Sequence, residues 1–240
     1  MKQQIKLHNY KHIGDVHYIK NSKAKNLSIR INSEGTVRVT VPRWCSYTKA
    51  EQFFKSKHSW VIKKCLEIER KNQNFLAYKV GDLIPLYHDH IEIRQTTGDR
   101  MYLEQSEKGF LLFVPGNANL SAGENREGFR ELMKMAGLQS AKKNLPVILE
   151  QLSREYSLPY GRVTVRRMRT RWGSCSHRNN ISLSSGLTFL DEELIRYVCL
   201  HELVHTVHKN HSPAFWNALS RILPDYKNKR KKLREKAIIA

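Results

Sequence analysis

Residues 194–211 read LIRYVCLHELVHTVHKNH, and the rest of the chain is interpreted outward from them. Leu194, Ile195, Tyr197, Val198 and Leu200 recur at helical spacing and predict a helix buried in the protein interior. His201, Glu202 and His205 continue it. Residues four apart on a helix stand one above the other, so two imidazoles face one point with Glu202 beside it. Polar groups buried this way cost free energy unless they are paired or hold a metal. In 240 residues with 11 histidines, about 0.03 such patterns arise by chance.

Two imidazoles at this spacing suit zinc, and two residues compete to be the third ligand. His208 shares the face if the helix runs on. His211 precedes Ser212-Pro213, a helix start, and a chain turning back after His208 delivers it. Three ligands on consecutive helical turns constrain a tetrahedron poorly, so His211 is preferred. Three protein ligands leave the fourth position for water, whose pKa zinc lowers to about 7, and Glu202 is placed to take its proton. The expected reaction is hydrolysis.

Composition bounds the rest. Forty-two Lys and Arg against 22 Asp and Glu give +20, while a 40% hydrophobic fraction still suffices for a core, which excludes a wholly disordered or collagen-like chain. No apolar run reaches the length of a membrane span, and no signal-peptide stretch opens the sequence, so a cytoplasmic protein is expected. Cys45, Cys65, Cys175 and Cys199 form no CxxC pair and read as reduced thiols; Cys175 and Cys199 read as small buried fillers. Arg162, Arg166, Arg167, Arg169 and Arg171, with the tail KNKRKKLREK at 227–236, offer a polyanion such as nucleic acid or a nucleotide a landing site; the bland reading of the tail is a solvated helix face. The sequence carries no signal for oligomeric state.

Alternation at Leu27, Ile29, Ile31 and at Val37, Val39, Val41 predicts a hairpin through a Glu34-Gly35 turn, ending at Pro42. A helix is expected from Ser46, its N-cap, to about Arg70. Short strands follow over 80–114. A long helix begins beyond Ser121, with Gly137 and Pro146 expected to bend or split it. Strands at 161–168 and 179–184 and helices at 190–209, 212–222 and 226–236 complete the pattern. The boundary is placed near residue 122, between a β-rich part, 1–122, and a helical catalytic part, 123–240, that pack as one unit.

Several of these stretches also resemble a known family. RTRWGSCS (169–176), ISLS (181–184) and YVCLHELVHTVHKNHSPAFWNALSRILPDYKNKRKKL (197–233) are similar to YgjP-like metal-dependent hydrolases, relatives of SprT-like proteases and HExxH zincin peptidases. LSIRINSEGTVRVTVPRWCS (27–46), HSWVIKK (58–64) and GDLIPLYHDHIEIR (81–94) extend the resemblance over most of 24–233. It implies an α+β fold, β-rich first and then zincin-like of the minigluzincin type, with a small sheet. It implies His201, His205 and His211 as ligands of Zn2+ or another divalent transition metal, Glu202 as catalytic acid/base, and Phe215 and Trp216 packed behind the third ligand. A peptide or protein substrate would lie along the RWGSCS segment by strand addition. Arg169, Arg171, Trp172 and Ser174 are candidate substrate contacts there; otherwise Arg171 and Trp172 buttress the metal helix. Two other functions compete: a metal-dependent nucleoside triphosphate pyrophosphatase, weakened by the absence of a P-loop, and a non-enzymatic nucleic-acid-binding protein with a structural metal.

Overall fold

Alternation at Val37, Val39 and Val41 builds β4 (Val37–Pro42), paired antiparallel with β3 (Ser28–Ile31) so that Ile29 faces Val39. The computed structural model describes residues 5–32, 35–73, 78–120 and 123–236, so Glu34 of the expected turn lies outside the described residues. Periodicity did not predict the hairpin of β1 (Ile5–Tyr10) and β2 (Gly14–Asn21), which completes the sheet in the order β1-β2-β4-β3 with β2 parallel to β4. The reason is local: Ile5 and Leu7 are exposed, while Tyr10 packs inward through its ring and bonds the Tyr18 hydroxyl at 2.9 Å. Val16, Tyr18, Val37, Val39 and Val41 press one face of this sheet onto Ala50 and Phe54 of α1 (Tyr47–Ser56) and Val61 of α2 (His58–Gln73). Ser46 caps α1 by accepting the Lys49 N–H at 3.2 Å. The single helix expected here breaks at Lys57 (φ −110°, ψ 6°), and the turn brings Phe54 and Val61 into one core.

A second sheet repeats that plan. Strands β5 (Leu83–Leu86), β6 (Asp89–Thr96), β7 (Tyr102–Ser106) and β8 (Gly109–Pro115) lie in the order β5-β6-β8-β7, again with hairpins outside and a parallel pair in the middle. Helix α3 (Gly123–Glu155) then runs 33 residues and is not split at Gly137 or Pro146. A Cβ at Gly137 would lie 2.4 Å from the Phe189 ring, so glycine serves close packing there. Around Pro146, burial of Leu145, Ile148 and Leu149 holds the helix despite the lost hydrogen bond. The chain divides into two units, Met1–Ala77 and Tyr78–Ala240. Residue 122 lies outside the described residues, but the strands before it are tied to the helix after it. The Asp89 carboxylate, 5% exposed, accepts hydrogen bonds from Ser140 Oγ at 2.7 Å and Asn144 Nδ2 at 2.8 Å.

The third sheet is small: β9 (Val163–Arg166), β10 (Gly173–Cys175) and β11 (Ile181–Ser184) in the order β10-β11-β9. β10 is its antiparallel edge. A 3₁₀ turn, Ser185–Phe189, leads to α4 (Glu192–Val207), α5 (Pro213–Ile222) and α6 (Tyr226–Glu235). Leu145, Leu149 and Leu152 of α3 share one core with Ile181, Leu183, Ile195, Val198, Leu203, Phe215 and Leu219. The protein is therefore of the α+β class, and no helix among the described residues is long and apolar enough to cross a membrane.

The basic tail is partly spoken for. Lys232 and Lys229 bond Glu193 at 2.8 and 2.9 Å, Lys229 also reaches Asp225, Lys236 reaches Asp191 at 3.8 Å, and Arg230 lies 4.8 Å over the Trp216 ring. Hydrogen bonds from Lys232 and Lys229 pull the Glu193 carboxyl from its ordinary 4.5 down to about 2. A depressed folded-state pKa stabilises the fold above the ordinary value, and the effect is lost as pH falls toward the depressed one. Thermal unfolding of Glu193→Gln should therefore trail the wild type slightly near neutral pH, as exposed pairs do. The gap should close as pH drops from 4.5 to about 2.

Candidate metal centre

Helix α4 is buried along most of its length, through Leu194, Ile195, Tyr197, Val198, Cys199, Leu200, Leu203 and Val204. That packing fixes the direction in which His201 and His205 project. The helix ends at His208, whose backbone (φ −113°, ψ 98°) is extended, so the chain turns back and Pro213 starts α5 after Ser212. His211 sits on the return. Its Nε2 lies 3.0 Å from that of His201 and 3.2 Å from that of His205. His208 contributes its backbone instead, its carbonyl accepting the His205 Nδ1–H at 2.9 Å.

Phe215, fully buried, forms the floor, its ring centroid 4.4 to 4.9 Å from the three imidazoles. Trp216 stacks on His211 and donates its indole N–H to the His211 carbonyl at 3.1 Å. Trp216 in turn stacks on Tyr226, which links α6 to the same cluster. Both aromatics thus lie where the resemblance put them.

The donors suit a divalent cation. With Nδ1–H given to a carbonyl, the His205 Nε2 keeps a free lone pair. Burial, aided by neighbouring positive charge, drives His201 down to about 3, and burial also lowers His205, so both environments favour the neutral ring. His201 Nδ1 is buried without a hydrogen-bond partner among the described residues. Three imidazole nitrogens gathered this closely form a donor set that one divalent cation could bridge. A tetrahedral site with bonds of about 2.0–2.1 Å separates its nitrogens by about 3.3 Å, close to the spacing found. Neutral imidazole donors match a borderline transition metal such as zinc better than magnesium or calcium.

Glu202 is 5% exposed, and burial pushes its carboxyl up to about 8, with the Arg171 charge pulling the other way. It opens into a cleft of about 330 Å³ lined by the three histidines together with Arg171, Gly173, Ser174, Cys175 and Lys209. Of the four candidate substrate contacts, Arg171 and Ser174 line this cleft. Trp172 packs against the core, its carbonyl accepting the Ser184 N–H at 2.8 Å, and Arg169 is exposed outside the lining. Cys199 is a buried filler with its thiol pushed up to about 12 by burial.

Two lining residues had not been singled out. Lys209 ties the returning chain to the loop after β10, bonding Asn179 Oδ1 and the Ser176 carbonyl. Gly173 stands so close to Glu202 that an added Cβ would meet its Cγ and Oε1 at 2.7 Å. A glycine inside a strand signals close approach of another group, but only the fold says which.

The chain is similar to two solved metallopeptidase zymogens, jannalysin of Methanocaldococcus jannaschii and abylysin of Pyrococcus abyssi, each 22% identical with a TM-score of 0.35. The likeness covers 38% and 37% of this chain and 95% and 90% of theirs, too distant to carry an argument. No curated protein matches the chain. The model of one family, described as YgjP-like, metallopeptidase domain, matches residues 25–236, nearly the whole sequence, and the chain belongs to that family.

Proposed function

We propose that this protein is a zinc peptidase in which His201, His205 and His211 hold the metal and Glu202 moves the proton. The observation that carries the reading is the convergence of three Nε2 atoms, two of the separations being 3.0 and 3.2 Å, beside a buried carboxyl. A divalent cation held there supplies Lewis acidity, polarising a peptide carbonyl and making water acidic near neutral pH. Glu202 accepts the proton of the attacking water and passes it to the leaving amine. Its raised affinity for protons, a result of burial, suits a group that must take up a proton and then release it. Strand β10 pairs with β11 on one side only, which leaves main-chain groups along the cleft to align an extended substrate by strand addition. All four cysteines are free, in keeping with a reducing compartment such as the cytoplasm.

Metal titration tests the ligand set. The purified wild type should bind one zinc per chain. His211→Ala should weaken binding by more than the roughly 10–100-fold that loss of an outer partner costs, whereas His208→Ala should leave it near the wild-type value because only the backbone of His208 is used. The reverse order would replace His211 with His208. A nucleoside triphosphate substrate is the second reading, favoured by Arg171 and Lys209 in the cleft lining. Parallel assays of peptide cleavage and phosphate release decide between them.

A further inference from the structure

The net positive charge of this protein is densest in its first unit. Residues 1–77 hold 16 Lys and Arg against five Asp and Glu; the remaining 163 residues hold 26 against 17. The two four-stranded sheets offer an internal control, because they share strand order and sense. Residues 1–45, which include the first sheet, carry nine basic and two acidic residues, whereas residues 78–122, which include the second, carry four and six. The architecture therefore does not require the positive charge.

The contrast persists at equivalent positions. Counting from the start of each central parallel ladder, the first outward row reads Leu7, His17, Arg38, Arg30 in one sheet and Leu83, Glu92, Leu111, Glu104 in the other. Arg30 and Arg38 stand directly opposite each other, and like charges so placed work against a sheet. Both are exposed, on the face opposite the valines that pack on α1. Segments 19–30 and 38–50 contain seven Lys and Arg and no acid. Among the described residues, Lys23, Lys25, Arg30, Arg38, Arg43 and Lys49 have no ion-pair partner.

Parallel pairing of β2 and β4 brings their carboxyl ends together, Asn21 beside Pro42. Lys23 and Lys25 follow the first strand and Arg43 and Trp44 the second. Trp44 is 70% exposed, yet its turn is fixed: the Lys20 ammonium bonds the carbonyls of Pro42, Arg43 and Cys45, and Cys45 is buried behind it. Helix α1 starts two residues later with no acidic residue in its first turn, so its N-terminal dipole adds to the positive field.

We propose that the first unit binds single-stranded nucleic acid across this surface. Arg30, Arg38, Arg43, Lys23 and Lys25 take the phosphates, and the Trp44 indole stacks on an unpaired base. Exposed cations and a rigidly presented aromatic ring on one sheet and its adjoining turns are the elements of sequence-tolerant single-strand binding. A duplex offers the phosphates but hides the base faces.

The test is fluorescence anisotropy of the full-length protein with labelled oligothymidylate, the matching RNA and a duplex, over a range of salt. The wild type should bind the single strands at low salt. Arg30→Gln with Arg38→Gln should flatten the log–log salt dependence by about 1.4, from about 0.7 per phosphate contact, while Arg30→Lys with Arg38→Lys should keep the wild-type slope. Trp44→Ala should weaken single-strand binding about tenfold and leave the duplex unchanged. Lys227→Gln with Lys231→Gln, in the tail, should change nothing. All these side chains are exposed, and matching unfolding curves establish that each variant folds. Absence of binding at low salt, loss through the tail variant alone, or binding confined to vesicles of acidic phospholipid would overturn the proposal.

Discussion

On the proposed mechanism, Glu202→Gln should keep the bound metal and lose about 10² to 10⁴-fold in kcat, the usual contribution of a positioned acid–base group. The substitution preserves the shape of a side chain confined by Gly173 on one side and the buried face of α4 on the other, so the fold should survive. The three imidazoles are untouched, and metal content by elemental analysis should match the wild type. What disappears is the capacity to hold a proton between water and amine. KM should change little, because the proposed alignment of substrate along β10 is untouched. Turnover within a few-fold of wild type, with metal retained, would remove Glu202 from the mechanism.

Gly173→Ala should reach a comparable loss from the opposite direction. A Cβ at this position lies 2.7 Å from Glu202 Cγ and Oε1 and 3.0 Å from Cδ, closer than real side chains approach. Glu202 is 5% exposed and has little room to retreat. The carboxyl must therefore shift, and a displacement of about 1 Å at a reacting group costs on the order of 10²-fold. Zinc affinity should stay near wild type, since Gly173 presses on Glu202 and not on the imidazoles. A fall in kcat with zinc retained is the expected signature. If kcat stays within twofold, Glu202 has more freedom than this contact allows.

Both variants probe what a reading of the sequence reached and where it stopped. His201, Glu202 and His205 were legible because helical periodicity is local: an apolar stripe on α4 fixes where residues four apart point. The third histidine of the cluster was less secure, since His208 fits the face of a continued helix. The extended backbone at His208 ends that option, and in the sequence only the helix start at Ser212-Pro213 pointed to it. Gly173 and Lys209 escaped notice because their roles depend on what the fold brings opposite them. The same holds for the elements. Valine alternation disclosed β4, but β1 stayed hidden behind its exposed Ile5 and Leu7. Gly137 and Pro146 are local breakers overruled by the packing around them.

The repeated strand order of the two larger sheets has a practical consequence. A scaffold that carries arginines at one set of outward positions and glutamates at the matching set tolerates either decoration. Chimeras that transplant the outward row of one sheet onto the other should therefore keep their backbone. Such grafts would convert an acidic surface into a cationic one, or the reverse, leaving the histidine cluster and its cleft as they are.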